Sequence, residues 1–443
     1  MSTRRQFIRQ VVGYGSASMF LWLETPSALG EGTACSLPPV RGAERYIPGE
    51  SRILPRLSAA DLEDPAHAAQ AGRLRDAISR MKALPRNDVI SWERQAAQPC
   101  AVSSGMNAAS LHYSGRFLPW HRAYLYFFER ILRRLAGDDD LRLVYWDWET
   151  LANRGVPGIY AEAGQSLYLE HRDYRGVDMK DIDVLAMLAV PTYELFGGGA
   201  AGNPGAVVSG PHANVHNAFG GVMSDLPGSA HDPVFHAHHA NIDRLWSSWG
   251  RAGHSNPDFG QDRVYFYDET RKLRYILLND LRDESRLGYQ YSSYMTTSVH
   301  LKDLQVYRLA RQGAAYTASK AVIDGMMGKE SEASYLVLKN IRNRQQLPRE
   351  TYIYGVFAGK PTVGWINHMD ANYLGKVADI RSGGVNRHQS APLTCALDVS
   401  ERLAGSLRRQ KGMLNLTLAP LDAAGRIVGP GVPLVADSVV VLR

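Results

Sequence analysis

Five histidines in two short segments constrain this chain more than any other feature. The first segment runs His112-x8-His121-Arg122, and the second runs His212-x3-His216, then Asp232-Pro233-x-Phe235-x3-His239. His212 and His216 are four apart, so on a helix both rings leave one face about one turn apart. Rings placed this way can share one ion, with His239 of the next helix as a third donor. Three neutral imidazoles without thiolate or carboxylate suit copper or zinc. A lone His-x3-His is usually an ordinary helix face; the Asp-Pro-x-Phe-x3-His-x3-Asp run that follows makes a site the better reading. Asp243, one turn beyond His239, is placed to accept a hydrogen bond from a ligand ring or from Arg244.

Joining segments so far apart takes several packed helices, and 443 residues at 45% hydrophobic can bury such a core. Helical spacing marks Asp61 to Leu84 (Leu74, Ile78, Met81, Leu84), with Pro85 as the stop. It marks Phe117 to Leu135 more strongly, with Pro119 as a starting signal, His121 near the opening and Glu129 two turns along. His112 falls on the loop before that helix. Helical segments return at 212–219 and 232–250, after a loop-rich stretch at 150–210. The apolar run from Leu141 to Trp148 cannot be typed by period. From Ser334 onward the runs are short and β-rich, separated by Gly and Pro turns, which reads as a small all-β sandwich or barrel. The expected organisation is a signal at 1–30, a core with an N-terminal arm at 31–291, a linker at 292–333 and a β domain at 334–443.

The formal charge is +6, but no block of five or six basic residues occurs, so nucleic acid is not an expected partner. Thr3-Arg4-Arg5-Gln6-Phe7-Ile8-Arg9, the apolar stretch Val11 to Leu23 and Pro26-Ser27-Ala28-Leu29-Gly30 resemble a twin-arginine export signal. The apolar stretch is too short and too broken by glycine to span a membrane in the mature protein. The expected location is therefore periplasmic or secreted, where disulfides persist. The chain has three cysteines, Cys35, Cys100 and Cys395.

Both histidine segments resemble the two copper signatures of the tyrosinase and polyphenol oxidase family of type 3 copper proteins. The resemblance extends to Met81-Lys-Ala-Leu-Pro85, Trp92-x2-Gln95-Ala96, Tyr265-Phe-Tyr-Asp268-Glu, Leu287-Gly-Tyr289-Gln-Tyr291 and the Ser438-Val-Val-Val tail. It covers about residues 35–443. It implies a mainly α core with a four-helix bundle around a dicopper site, plus a C-terminal all-β domain that shields the site. By position, His112 and His121 would bind the first copper (CuA), and His212, His216 and His239 the second (CuB). The implied reaction is oxidation of o-diphenols to o-quinones with dioxygen. A copper chaperone is the one further partner this reading allows. His238 would stand beside the last ligand, Phe235 would flank the CuA side, and Leu226 would gate CuB. Cys35 and Cys100 would form the disulfide that plant-like members carry, leaving Cys395 over.

The chain departs from that pattern at three positions. Each copper in the family has three histidines, and the alignment on Gln95-Ala96 and Cys100 puts Pro99 where the sixth belongs. Proline has no side-chain donor. Val208 replaces a glutamate that orients a water, and Ser103 replaces a thioether cysteine. Three readings stay open. CuA is held by two histidines or rescued by His236, or less readily by His231 or Cys100; or only CuB is filled, giving a mononuclear copper protein; or the chain is catalytically silent and binds a phenolic ligand or partner.

Overall fold

Two helices carry the centre of the molecule, and each is buried on every side over most of its length. The structure, a computed structural model, describes residues 35, 37–103, 111–178, 182–297, 299 and most of 304–443. Within the last range the exceptions are 318, 321–322, 325–332, 349–350, 362, 381–391 and 401. The export signal expected at 1–30 lies outside the described residues. Residues 34–443 form one compact unit.

Helix α1 spans Ala68–Ala83 and buries Leu74, Ala77, Ile78 and Met81, one stripe at helical spacing. It stops because Leu84 precedes Pro85 and is forced into extended backbone (ψ 148°). Helix α2 spans Trp92–Ser103 with Pro99 inside it. Helix α3 spans Phe117–Ala136 and is buried continuously from Phe117 to Glu129. It ends at Gly137, whose left-handed φ of 66° lets its N–H reach the Arg133 and Arg134 carbonyls. Helix α4 spans Ala213–Phe219, entered through a π turn at Val208–His212. Helix α5 spans Val234–Arg251 and is buried from Val234 to Trp249.

Helices α2, α3, α4 and α5 make the four-helix bundle. Arg122 of α3 donates to Asp243 of α5 at 2.6 Å, and Tyr124 of α3 donates to the Gln95 carbonyl of α2 at 3.2 Å. The untyped run at 141–148 forms neither a helix nor a strand beyond one bridge. Tyr145 bridges Ser58, and the Trp146 N–H donates to the Ala237 carbonyl of α5 at 3.0 Å.

The C-terminal part is a nine-stranded antiparallel sheet. Its strands are β1 (Val306–Gln312), β2 (Ala315–Thr317), β3 (Tyr335–Ile341), β4 (Ile353–Ala358), β5 (Tyr373–Ala378), β6 (Leu393–Asp398), β7 (Met413–Leu421), β8 (Val432–Pro433) and β9 (Ala436–Leu442). The order is β5-β4-β7-β2-β1-β9-β3-β6, with β8 pairing β7. The sheet nearly closes on itself: a Cβ added to Gly375 of β5 would lie 2.8 Å from Leu397 of β6. One boundary differs from expectation. Strands β1 and β2 fall inside the stretch read as a linker, 292–333, and pair into the sheet through β9 and β7. Their apolar signal is weak because β1 keeps only Leu309 buried.

The β domain sits on the face of the core that carries His212. Tyr113, next to His112, donates to Asp379 Oδ1 at 2.8 Å, and Arg344 donates to Oδ2 at 2.9 Å. Asn217 of α4 donates to the Asp379 carbonyl at 2.7 Å. Ala213 and Leu226 of the core share one apolar cluster with Ile353, Ala378, Ile380 and Leu421 of the β domain. Among the described residues, no helix is long and apolar enough to cross a membrane.

Candidate metal centre

All five histidines expected as ligands converge in the bundle, and all are buried. The His121 ring stacks on His239 at 4.3 Å between centroids, 12° from parallel. His112 lies 5.2 Å from His212 and 6.1 Å from His121. His212, His216 and His239 pack with centroids 4.7–5.4 Å apart. His212, His216, His238 and His239 each offer a ligand atom, all within 4.8 Å of one another.

Which nitrogen carries the proton decides what each ring can do. His121 Nδ1 lies 2.8 Å from the Phe117 carbonyl, His212 Nδ1 3.2 Å from the Val208 carbonyl and His216 Nδ1 2.7 Å from the Met223 carbonyl. A carbonyl only accepts, so in each case Nδ1 holds the proton and Nε2 keeps a bare lone pair. His216 Nε2 and His239 Nε2 face each other at 3.2 Å. Without a cation, His239 Nε2–H must donate to His216 Nε2; with one, both lone pairs can point at it. Burial holds the His121 pKa down to about 3 and that of His216 to about 4. Burial also pushes His212 and His239 well down, helped by the neighbouring imidazoles. All four rings are neutral at pH 7, which is the ligating form. The donor set at His212, His216 and His239 therefore fits a copper ion, while His112 and His121 offer two imidazoles for the other position.

The residues proposed to rescue that position are engaged elsewhere. His236 stacks on Phe128 at 3.9 Å, and its Nε2 lies 3.1 Å from the Tyr124 hydroxyl. His231 Nε2 is 3.6 Å from Glu93. Cys100 is bonded to Cys35, with Cα atoms 5.3 Å apart, as the resemblance implied. Cys395 is free and buried.

Pro99 explains the His236 arrangement. Lacking an N–H, it leaves the Gln95 carbonyl without its helical partner, and the Tyr124 hydroxyl donates there instead. With its proton so used, Tyr124 accepts from His236 Nε2–H. Tyr124→Phe would strand both the carbonyl and the imidazole N–H. It is expected to cost about 1–3 kcal/mol in urea unfolding; a loss under about 0.5 kcal/mol would refute the arrangement.

His236 also makes the fold acid-sensitive. Burial lowers its pKa from 6.5 to about 3. Between those values the unfolded chain binds a proton that the folded chain refuses, so stability falls as pH drops through that window. The slope approaches about 1.4 kcal/mol per pH unit. In metal-free protein, His236→Phe is expected to flatten the stability–pH curve by one proton between roughly pH 6 and 4. Parallel curves for parent and variant would sink the assignment.

Two placements correct expectations. Asp243 touches neither a ligand ring nor Arg244. It accepts from Arg122 at 2.6 Å and from the Tyr289 and Tyr291 hydroxyls at 2.6 and 2.5 Å. Arg244 pairs instead with Glu149. Phe235, expected on the CuA side, packs on His239 at 4.1 Å and His216 at 5.8 Å. One helical turn separates it from His239, so both rings share a face. Leu226 is buried in an apolar cluster with Ile353, Ala378, Ile380 and Leu421 of the β domain. Val208 carries no side-chain acceptor, yet its carbonyl orients His212. Sequence reasoning missed Phe117, whose ring sits 4.5–5.1 Å from His121, His212 and His112. It also missed Trp148 and Asp379, because nothing local marks a partner so far along the chain.

A buried cluster of neutral imidazoles in a four-helix bundle, roofed by an antiparallel sheet, defines a histidine-ligated metalloprotein. A family model described as the common central domain of tyrosinase matches residues 86–178 and 170–252. The latent polyphenol oxidase of Prunus armeniaca is 32% identical over 273 residues, 49% of this chain and 46% of that one. Aureusidin synthase of Antirrhinum majus is 29% identical over 311 residues, 58% of this chain and 55% of that one. The chain thus spans about half the length of the curated relatives it matches. Among solved structures, the Grenache (Vitis vinifera) polyphenol oxidase superposes with a TM-score of 0.53 at 28% identity, covering 60% of this chain and 92% of that one. A latent aurone synthase matches in fold, with a TM-score of 0.66 at 23% identity over 91% and 93% of the two chains. Residues 86–252 of the chain thus carry a tyrosinase-type central domain.

Proposed function

We propose that this protein is a copper-dependent oxidase that converts o-diphenols to o-quinones with dioxygen. The observation that carries the reading is the His212, His216 and His239 trio, buried and neutral, with Nδ1 of His212 and His216 tied to backbone carbonyls. Imidazole donors suit copper and zinc alike, and the tyrosinase-type central domain favours copper. A bound copper pair supplies a two-electron route from diphenol to dioxygen. The chain's own residues orient the ligand rings and exclude water from them. Phe235 and Phe117 supply apolar walls beside the imidazoles. Val208 has no group to hold a water or take a proton, so we propose diphenol rather than monophenol oxidation, with slow turnover because CuA lacks a third imidazole.

A second reading, one metal at the trio and no oxidase activity, is favoured by Pro99 and by the engagement of His236, His231 and Cys100 elsewhere. Copper analysis of the reconstituted protein, with quinone formation from catechol, tests both. The oxidase reading expects two coppers and quinone; one copper or none, without quinone, would establish the second.

The β domain over Ala213 and Leu226 supports a shielding role, with cleavage within 292–333 as the proposed activating step. Arg4-Arg5 supports twin-arginine export to the periplasm or beyond.

A further inference from the structure

Both metal positions are tied to one residue of the β domain. Asp379 directly follows β5 and is buried where that strand meets the core. Its carboxylate makes the first tie. Oδ1 accepts from the Tyr113 hydroxyl at 2.8 Å. Tyr113 follows His112 in the chain and packs edge-on against its ring, 5.1 Å between centroids. The Asp379 backbone makes the second tie. Its carbonyl accepts from Asn217 at 2.7 Å, and Asn217 follows His216 on α4. The same amide donates to the Ala213 carbonyl at 2.9 Å, so it is fixed to α4 and to the β domain at once. Asp379 is itself held from within the β domain. Arg344 donates to Oδ2 and the Ile380 N–H to Oδ1, each at 2.9 Å, and the Asp379 N–H donates to the Tyr352 carbonyl at 2.8 Å.

We propose that Asp379 is a positioning residue for the metal centre, setting the His112 turn against α4, so that the β domain is scaffold for the ligands as well as cover. The inference rests on the metal reading above for its functional consequence; the hold on the turn can be read without any metal. A pair of ions needs its two ligand groups at a fixed separation, and the His112 and His212 rings stand 5.2 Å apart between centroids. His112 leaves a turn rather than a helix, so its aim depends on what holds that turn. A hydroxyl donating to a carboxylate makes a strong, charge-assisted bond. Partners that orient a ligand are typically worth 10- to 100-fold in metal affinity. Cleavage within 292–333 leaves these contacts standing; departure of the β domain would strand Tyr113 and Asn217 together and loosen both positions.

Tyr113→Phe isolates the contact: it keeps the ring beside His112 and leaves Asp379 paired with Arg344. Lys339→Met is the control. It removes another tie between β domain and core, to Glu194 at 2.7 Å, in which neither partner adjoins a histidine in the chain. Two amides report on the turn, because the Gly115 N–H donates to the Gly199 carbonyl and the Gly202 N–H to the Tyr113 carbonyl, each at 2.8 Å. In metal-free, full-length protein, their hydrogen exchange is expected to quicken about tenfold in Tyr113→Phe and less than about twofold in Lys339→Met. Unchanged exchange in Tyr113→Phe overturns the proposal, whatever metal the protein holds. In copper-loaded protein, release of copper to EDTA is expected to be about tenfold faster in Tyr113→Phe and unchanged in Lys339→Met. Equal acceleration by both variants would make the contact general adhesion, and release at the parent's rate in Tyr113→Phe would detach the tie from the metal; either result overturns the proposal. A parent chain that takes up no copper overturns the metal reading instead, and the exchange rates then decide whether Asp379 holds the turn.

Discussion

Replacing Pro99 with histidine is expected to bring the copper content to two ions per chain and raise catechol turnover by about 10- to 100-fold. That range is what loss of groups supporting a metal typically costs, and a direct ligand is worth at least as much. Two imidazoles can hold Cu(I), but Cu(II) prefers more donors, so a two-histidine CuA cycles poorly. Backbone chemistry favours the change. A histidine restores the N–H that α2 lacks at position 99 and so returns a helical partner to the Gln95 carbonyl, which now accepts from Tyr124. A carbonyl has two lone pairs, so Tyr124 and His236 need not move. Removing a proline from the helix interior is expected to add up to about 3 kcal/mol of stability. The two effects can be read separately. A higher unfolding midpoint with unchanged copper and turnover would show that residue 99 does not serve the metal site.

Asp243→Ala is expected to be the most damaging single substitution in the core, costing about 3–5 kcal/mol. Asp243 is buried and gathers Arg122, Tyr289 and Tyr291 by hydrogen bond, with Arg56 at 3.7 Å. Burial alone would destabilise both guanidinium ions. The surrounding carboxylates more than offset it: Asp243 first for Arg122, Glu129 first for Arg56. Alanine leaves Arg122 buried with Glu284 at 3.8 Å as its nearest remaining carboxylate. Arg122 follows His121, and Asp243 lies one turn after His239, so the network locks α3 to α5 at the metal centre. Copper content is expected to fall together with stability. Urea unfolding of the metal-free variant within about 1 kcal/mol of the parent would refute this.

Much of the architecture could be read from residue patterns. The stripe Leu74, Ile78, Met81 marked α1, and Tyr335, Thr351, Leu414 and Ser438 marked strands that do pair. The β1–β2 hairpin, in the middle of the strand order, escaped notice because β1 buries only Leu309 and so carries little alternation. At the site, helical spacing placed Phe235 and Asp243 on the right helix. It could not assign their contacts, because a buried helix presents every face to something.

By itself, the sequence marked the five clustered imidazoles, the proline at 99, the helical core and the β-rich end, because residue type and spacing survive any detail of packing. Part of the proton placement is also local: His121 and His212 each meet the carbonyl four residues back. Only the tertiary structure supplied the partner of His238, whose Nδ1 accepts from the Trp148 indole ninety residues away, and that of His216, whose Nδ1 meets the Met223 carbonyl. A histidine's bare nitrogen is set by the partner of its other nitrogen, and that partner arrives only when the chain folds.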